Sequence, residues 1–105
     1  MATKSKRDAL QAAPNVYKLL LDNERVRVFN LLFKPGDIAP MHSHPDHVVY
    51  FLDDGKLRLT APGGKTQDLE VKAGQTVFLP AQDHEAENIG STDARLVVME
   101  LKKAA

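Results

Sequence analysis

The chain of 105 residues contains no cysteine and no tryptophan. Without cysteine there can be no disulfide, no thiolate metal site and no cysteine nucleophile. An excess of one charge is also missing, since fourteen basic and fourteen acidic residues cancel. The longest basic block is the short KSKR near the N-terminus, so neither nucleic acid nor an anionic membrane surface is an expected partner. No apolar run approaches the roughly 20 residues needed to span a bilayer. The opening MATKSKRDALQAAPN is polar and lacks the apolar stretch of a secretory signal, so the expected location is cytoplasmic.

What is present fits one domain. Residues 1–13, rich in alanine and charge, are expected to form a flexible tail, although KRDALQAA has the composition of a short helix. From Pro14 onward, short runs of Val, Leu, Phe and Tyr alternate with Gly, Pro, Asn and Asp. Strands are predicted at 16–21, 25–33, 47–52, 56–61, 67–72, 75–79, 84–89 and 94–102. RVRV and KLRLT alternate with period two, the mark of a sheet with one wet face. DDGK at 53–56 carries an Asp-Gly hairpin signal, and APGGKT and NIGSTD supply further turns. The expected fold for residues 14–105 is all-β, a small antiparallel barrel or jelly roll.

Three of the four histidines, His42, His44 and His47, fall within MHSHPDHVV at 41–49. On a strand His42 and His44 face the same way and can share one ion. His47 has the opposite parity, but Pro45 favours a bend or bulge that could return it to its neighbours. If His47 points inward, so do Val49 and Phe51, with Val48, Tyr50 and Leu52 outside. His84 follows VFLP, where a later strand would return to the same barrel. Imidazole is a common transition-metal ligand, whereas magnesium and calcium prefer oxygen.

These same residues carry a family pattern. GDIAPMHSHPDHVVYFLDDG, from Gly36 to Gly55, resembles the first cupin motif: Gly, five residues, His-x-His, a short gap, an acidic ligand and a closing Gly. GQTVFLPAQDHEAEN, from Gly74 to Asn88, resembles the second. The resemblance implies a jelly-roll (double-stranded β-helix) barrel holding a divalent transition metal: Fe, Zn, Ni, Mn, Co or Cu. It carries over to His42, His44 and His84. The acidic ligand has no counterpart: its slot falls on Val48 by spacing and on His47 by strand alignment, and His47 is favoured because valine cannot ligate. Gln82 stands where the second motif has glycine, as a turn residue or leaning over the cavity. The resemblance also implies a homodimer, for which VYKLLL offers apolar surface.

Other residues carry weaker readings. Asp46 and Asp83 sit beside expected ligands and could accept a ring N–H. Glu85 or Glu87 could face the cavity as a base. Phe51, Phe78 and Met41 are expected in the core or along the cavity, and Arg25, Arg27 and Arg95 on a wet face. Two functions of different class follow. One is a metal-dependent enzyme acting on a small polar metabolite by oxygenase, isomerase or lyase chemistry. The other is a non-catalytic module that binds or senses a small ligand through the metal.

Overall fold

Inward positions on the strands recur with period two, which is why the chain folds as sheets. In VRVFNLLF, Phe29, Leu31 and Phe33 are buried, and in ARLVVMEL, Ala94, Leu96 and Val98 are buried. The computed structural model describes residues 7–103. Its elements are α1 (Ala9–Ala12), β1 (Tyr17–Asp22), β2 (Val26–Phe33), β3 (Ile38–His44), β4 (His47–Phe51), β5 (Gly55–Thr60), β6 (Thr66–Val71), β7 (Thr76–Leu79), β8 (Gln82–Asn88) and β9 (Ala94–Leu101). They form an antiparallel jelly roll of two sheets, ordered β1-β2-β9-β4-β7 and β3-β8-β5-β6. The expected fold class is borne out.

The strand register sorts the interior into layers. Arg27, Glu100 and His47 are neighbours in one row across β2, β9 and β4. The next inward row is Phe29, Val98 and Val49. Leu31, Leu96 and Phe51 follow. One end of the barrel interior is therefore polar and the remainder apolar. Burying each large apolar side chain contributes roughly 1.5–3 kcal/mol, and this apolar layer carries most of the stability.

Three expectations are corrected. First, eight strands were expected and nine form among the described residues: β3 (IAPMHSH) has Pro40 and few β-branched residues, so composition hides it. Second, DDGK does not close a hairpin. β4 and β5 lie in different sheets, so the segment is a crossover, and Gly55 keeps a negative φ. APGGKT does close the β5–β6 hairpin, with Gly64 at φ +93°. Third, Phe78 is 57% exposed on the outer strand β7 and takes no part in the core.

Part of the expected tail is also structured. Asp8 caps α1 by accepting from the Leu10 N–H at 3.1 Å. Ala9, Ala12 and Ala13 are buried, and the Ser43 N–H donates to the Arg7 carbonyl at 2.7 Å. The short helix, which the sequence allowed, packs against β1 and β3, the outer strands of the two sheets on this side. Small side chains permit that close approach. Residues 1–6 of the expected tail lie outside the described residues.

Asn88 holds the β8–β9 crossover. Its Nδ2 donates to the carbonyls of Phe33 (3.0 Å) and Thr92 (2.9 Å), and its Oδ1 accepts from the Gly90 N–H (2.9 Å). Asn88→Ala removes three bonds at a buried point and is expected to cost about 3 kcal/mol. Asn88→Asp, which turns an acceptor toward two carbonyls, is expected to cost at least as much. Urea denaturation of both variants measures this, and wild-type midpoints would refute it.

Candidate metal centre

Pro40 and Pro45 act differently on the histidines. The register of β3 shifts between Ala39 and His42, and both residues are buried despite their odd separation. The bulge therefore falls on Pro40 and Met41, and Pro40 has no N–H to give the ladder. Pro45 and Asp46 carry the chain from one sheet into the other, and His47 opens β4 on the opposite wall. Its inward direction sets that of Val49 and Phe51, while Tyr50 is exposed, as the strand parity required.

All four imidazoles are buried. His42 and His84 are direct cross-strand partners, with ring centres 4.8 Å apart. The His44 ring lies 4.7 Å from His42 and 5.1 Å from His84. One ring nitrogen from each of these three lies within 4.8 Å of the other two, a buried triad that could bind a metal. His47 flanks the triad, stacked on His44 at 4.4 Å and 6.5 Å from His84.

The outer nitrogen of every ring is already engaged. Nδ1 of His42 donates to the Pro40 carbonyl (2.6 Å), and Nδ1 of His47 donates to the Pro45 carbonyl (2.8 Å). Nδ1 of His84 donates to Oε1 of Gln82 (2.9 Å), whose amide is oriented by donation from Nε2 to the Pro80 carbonyl (3.1 Å). Nδ1 of His44 donates to Oε2 of Glu100 (2.6 Å). Carbonyl and carboxylate oxygens only accept, so Nδ1 carries the proton and Nε2 is left with a lone pair. Tyr17 Oη, 3.1 Å from His44 Nε2 and 3.4 Å from His42 Nε2, has one proton for both. A set of converging, donor-poor imidazole nitrogens fits a divalent transition metal.

Glu100 is the anionic centre of this layer. Its Oε1 accepts from Arg27 Nη2 (2.9 Å) and Nε (3.2 Å), and Arg27 also pairs with Asp8. Burial raises the Glu100 pKa, but the hydrogen bonds from His44 and Arg27 outweigh it and hold the group below its ordinary value. Neither Glu100 nor Tyr17 was foreseen from the sequence, and Arg27 was expected on a wet face. Glu100 did leave a signal: it continues the inward parity of Leu96 and Val98 with a charge. Tyr17 left none, because only the assembled fold brings β1 to β3.

Other candidates lie elsewhere. Gln82 opens β8, accepts from His84 Nδ1 and does not line the cavity beside the histidines. Asp46 accepts from the Ala81 N–H and Asp83 from the Ser43 hydroxyl. Glu85 and Glu87 alternate with the inward His84 and Ala86 and so face away from the interior. Arg95 pairs with Asp53, and Met41 is half-buried. Beside the histidines lies a cavity of about 200 Å³ lined by His44, His47 and His84 and by apolar groups such as Phe51, Leu57 and Val77. Exposed Glu70 and Gln75 stand at its edge near β6 and β7, which do not pair with each other.

Burial lowers the His42 pKa to about 4, against the opposing Pro40 carbonyl. Burial and then the neighbouring rings lower His84 to about 3, and burial followed by His44 lowers His47. Folded values below the unfolded ~6.5 mean that the unfolded chain binds more protons between the two. This stability is whole above about pH 6.5 and is lost as pH falls toward the folded values. The unfolding free energy of metal-free protein, from urea denaturation, should therefore decline from about pH 7 to pH 4.5, by up to about 1.4 kcal/mol per pH unit for each ring, and the urea midpoint should fall with it. His42→Asn should flatten the decline, and a pH-independent midpoint would refute the assignment.

The chain matches the cupin domain family over residues 29–100. No curated protein matches it. Among solved structures, it resembles a cupin domain from Bordetella pertussis with 27% identity and a TM-score of 0.78, covering 96% of this chain and 100% of that one. A cupin superfamily protein from Desulfitobacterium hafniense shares 17% identity at a TM-score of 0.64, over 84% of this chain and 77% of that one. A polyketide cyclase from Streptomyces resistomycificus shares 23% identity at a TM-score of 0.62, over 83% and 64% of the two chains. These last two likenesses concern fold alone. The family match spans more than two thirds of the chain and includes all four histidines, so this chain belongs to the cupin domain family.

Proposed function

We propose that the protein binds a divalent transition metal through Nε2 of His42, His44 and His84, with His47 as a fourth ligand, and uses it to hold a small molecule in the adjoining cavity. The observation that carries this reading is the approach of one ring nitrogen from each of His42, His44 and His84 to within 4.8 Å of the others, with the Nδ1 atoms of all four rings held by acceptors. A metal in this position supplies a Lewis acid that can polarise a carbonyl or bind oxygen. The protein supplies orientation of the ligands and exclusion of water. The largely apolar lining favours a molecule with an oxygen-bearing head and an apolar body over a wholly polar metabolite.

Oxygenase, isomerase or lyase chemistry on such a molecule is the first reading. A non-catalytic binding or sensing role is the second, and one observation favours it. Both Glu100 oxygens are engaged, while Glu85 and Glu87 face away, so none of these three carboxylates is poised as a general base.

Metal analysis of protein purified without chelator, followed by calorimetry with zinc, nickel and manganese, tests the site. His42→Ala and His84→Ala are expected to abolish binding. His47→Ala is expected to weaken it by roughly tenfold or more, and unchanged affinity would reduce the site to three histidines. Ligating imidazoles must be neutral, and burial keeps His42 neutral down to about pH 4 and His84 to about pH 3, so affinity should hold at neutral pH and fall only as pH approaches those values. Full metal content in His42→Ala would overturn the site.

We also propose that two copies pair along β1. This outer strand exposes Leu19, Leu20 and Leu21, at 40%, 54% and 49%. The β1 register shifts between Leu19 and Leu21, so Leu20 is bulged and the three leucines form one exposed apolar patch on this edge, with Lys18 and Asp22 at its ends. Asp22 also meets Lys102 of its own chain at 2.6 Å. Sedimentation at micromolar concentration is expected to give a dimer and Leu20→Lys a monomer. A monomeric wild type would refute the pairing.

A further inference from the structure

We infer that Tyr17 is a hydrogen-bond donor to an oxygen atom bound at the metal, and so favours oxygen-donor ligands in this site. The inference rests on the metal reading above and concerns a residue outside the ligand set. Tyr17 Oη lies 3.1 Å from His44 Nε2 and 3.4 Å from His42 Nε2. These are the nitrogens left free for coordination, since the Nδ1 atoms of the same rings meet Glu100 and Pro40. The phenol thus stands on the coordinating side of the triad.

Its placement is built rather than incidental. The Tyr17 ring is buried, edge-on to Phe29 at 5.3 Å and edge-on to His42 at 5.7 Å. Its backbone N–H donates to the Ala13 carbonyl at 3.0 Å, just beyond α1. Asp8 at the start of the same helix pairs with Arg27, which holds Glu100 against His44. The segment from Asp8 to Tyr17 therefore reaches His44 from both of its ring nitrogens.

A metal on His42 and His44 takes the lone pairs that Tyr17 Oη now faces. A buried hydroxyl deprived of its acceptor is left with an unmet donor, which is unfavourable away from water. An oxygen atom on that metal, from water or from a carbonyl or carboxylate, restores the bond. A ligand bound through nitrogen with no further lone pair does not. The hydroxyl therefore discriminates among ligands, while its ring serves packing.

The chain has two tyrosines and no tryptophan, so ultraviolet difference spectra report these phenols directly. Adding zinc is expected to produce a tyrosine difference spectrum in wild type and in Tyr50→Phe, where Tyr17 is the sole contributor. Tyr17→Phe should bind the same amount of zinc without that spectrum. On cobalt-loaded protein, Tyr17→Phe should weaken acetate roughly five- to tenfold, the contribution of one hydrogen bond, and leave imidazole affinity unchanged. Zinc binding to Tyr50→Phe with no tyrosine response, or equal acetate affinity in Tyr17→Phe, would overturn the inference. So would loss of zinc from a folded Tyr17→Phe, which would make the hydroxyl part of the ligand set. If wild type takes up neither zinc nor cobalt, the metal reading fails and this inference fails with it.

Discussion

A carboxylate buried inside a β-barrel needs partners, and Glu100 draws its own from separate parts of the chain. Removing an unpaired charge from water costs several kcal/mol, so Glu100 is tolerable only with Arg27 and His44 in place. Arg27 in turn faces Asp8, the cap of α1, and its guanidinium lies 4.8 Å from the Phe29 ring centre. The N-terminal segment, the five-stranded sheet and the histidine-bearing strand β3 are thereby joined through one ionic network. The orientation of His44 is one end of that network.

The same division of labour runs through the interior. Apolar rows led by Phe29, Leu31 and Phe33 supply the stability, and the polar row at one end spends part of it. Buried imidazoles have their Nδ1 atoms held by acceptors, and the opposite nitrogens of two of them, His42 and His44, face the Tyr17 hydroxyl. Such a layer is stable in an apolar barrel because every Nδ1 is engaged, and it is suited to a cation because the Nε2 atoms are poor in donors. The adjoining cavity lies on the apolar side of this boundary, so a molecule in it would meet a polar end and an apolar wall.

The all-β class was legible because the period-two alternation of RVRV and KLRLT, and the turn residues that punctuate short apolar runs, need no tertiary information. The site was legible in outline for a similar reason: His-x-His on an extended strand must share a face, and Pro45 had to break the strand before His47. Strand β3 was illegible as a strand because Pro40, Ser43 and two histidines leave it little β propensity. DDGK misled because Asp-Gly signals a tight turn without saying which sheet the next strand joins. KRDALQAA hid its packing because alanines bury little area and reveal their role only when another surface lies close.

Sequence alone determined the elements that local periodicity and residue chemistry dictate: antiparallel strands, a single apolar core, and histidines able to share an ion. Tertiary structure alone decided the cross-strand pairing of His42 with His84, the stacking of His47 on His44, and the convergence of Tyr17, Glu100 and Arg27 on that cluster. The physical reason is range. Alternation acts between residues two apart, whereas the partners of Glu100 lie 56 and 73 positions away, and only closure of the two sheets brings them within a hydrogen bond.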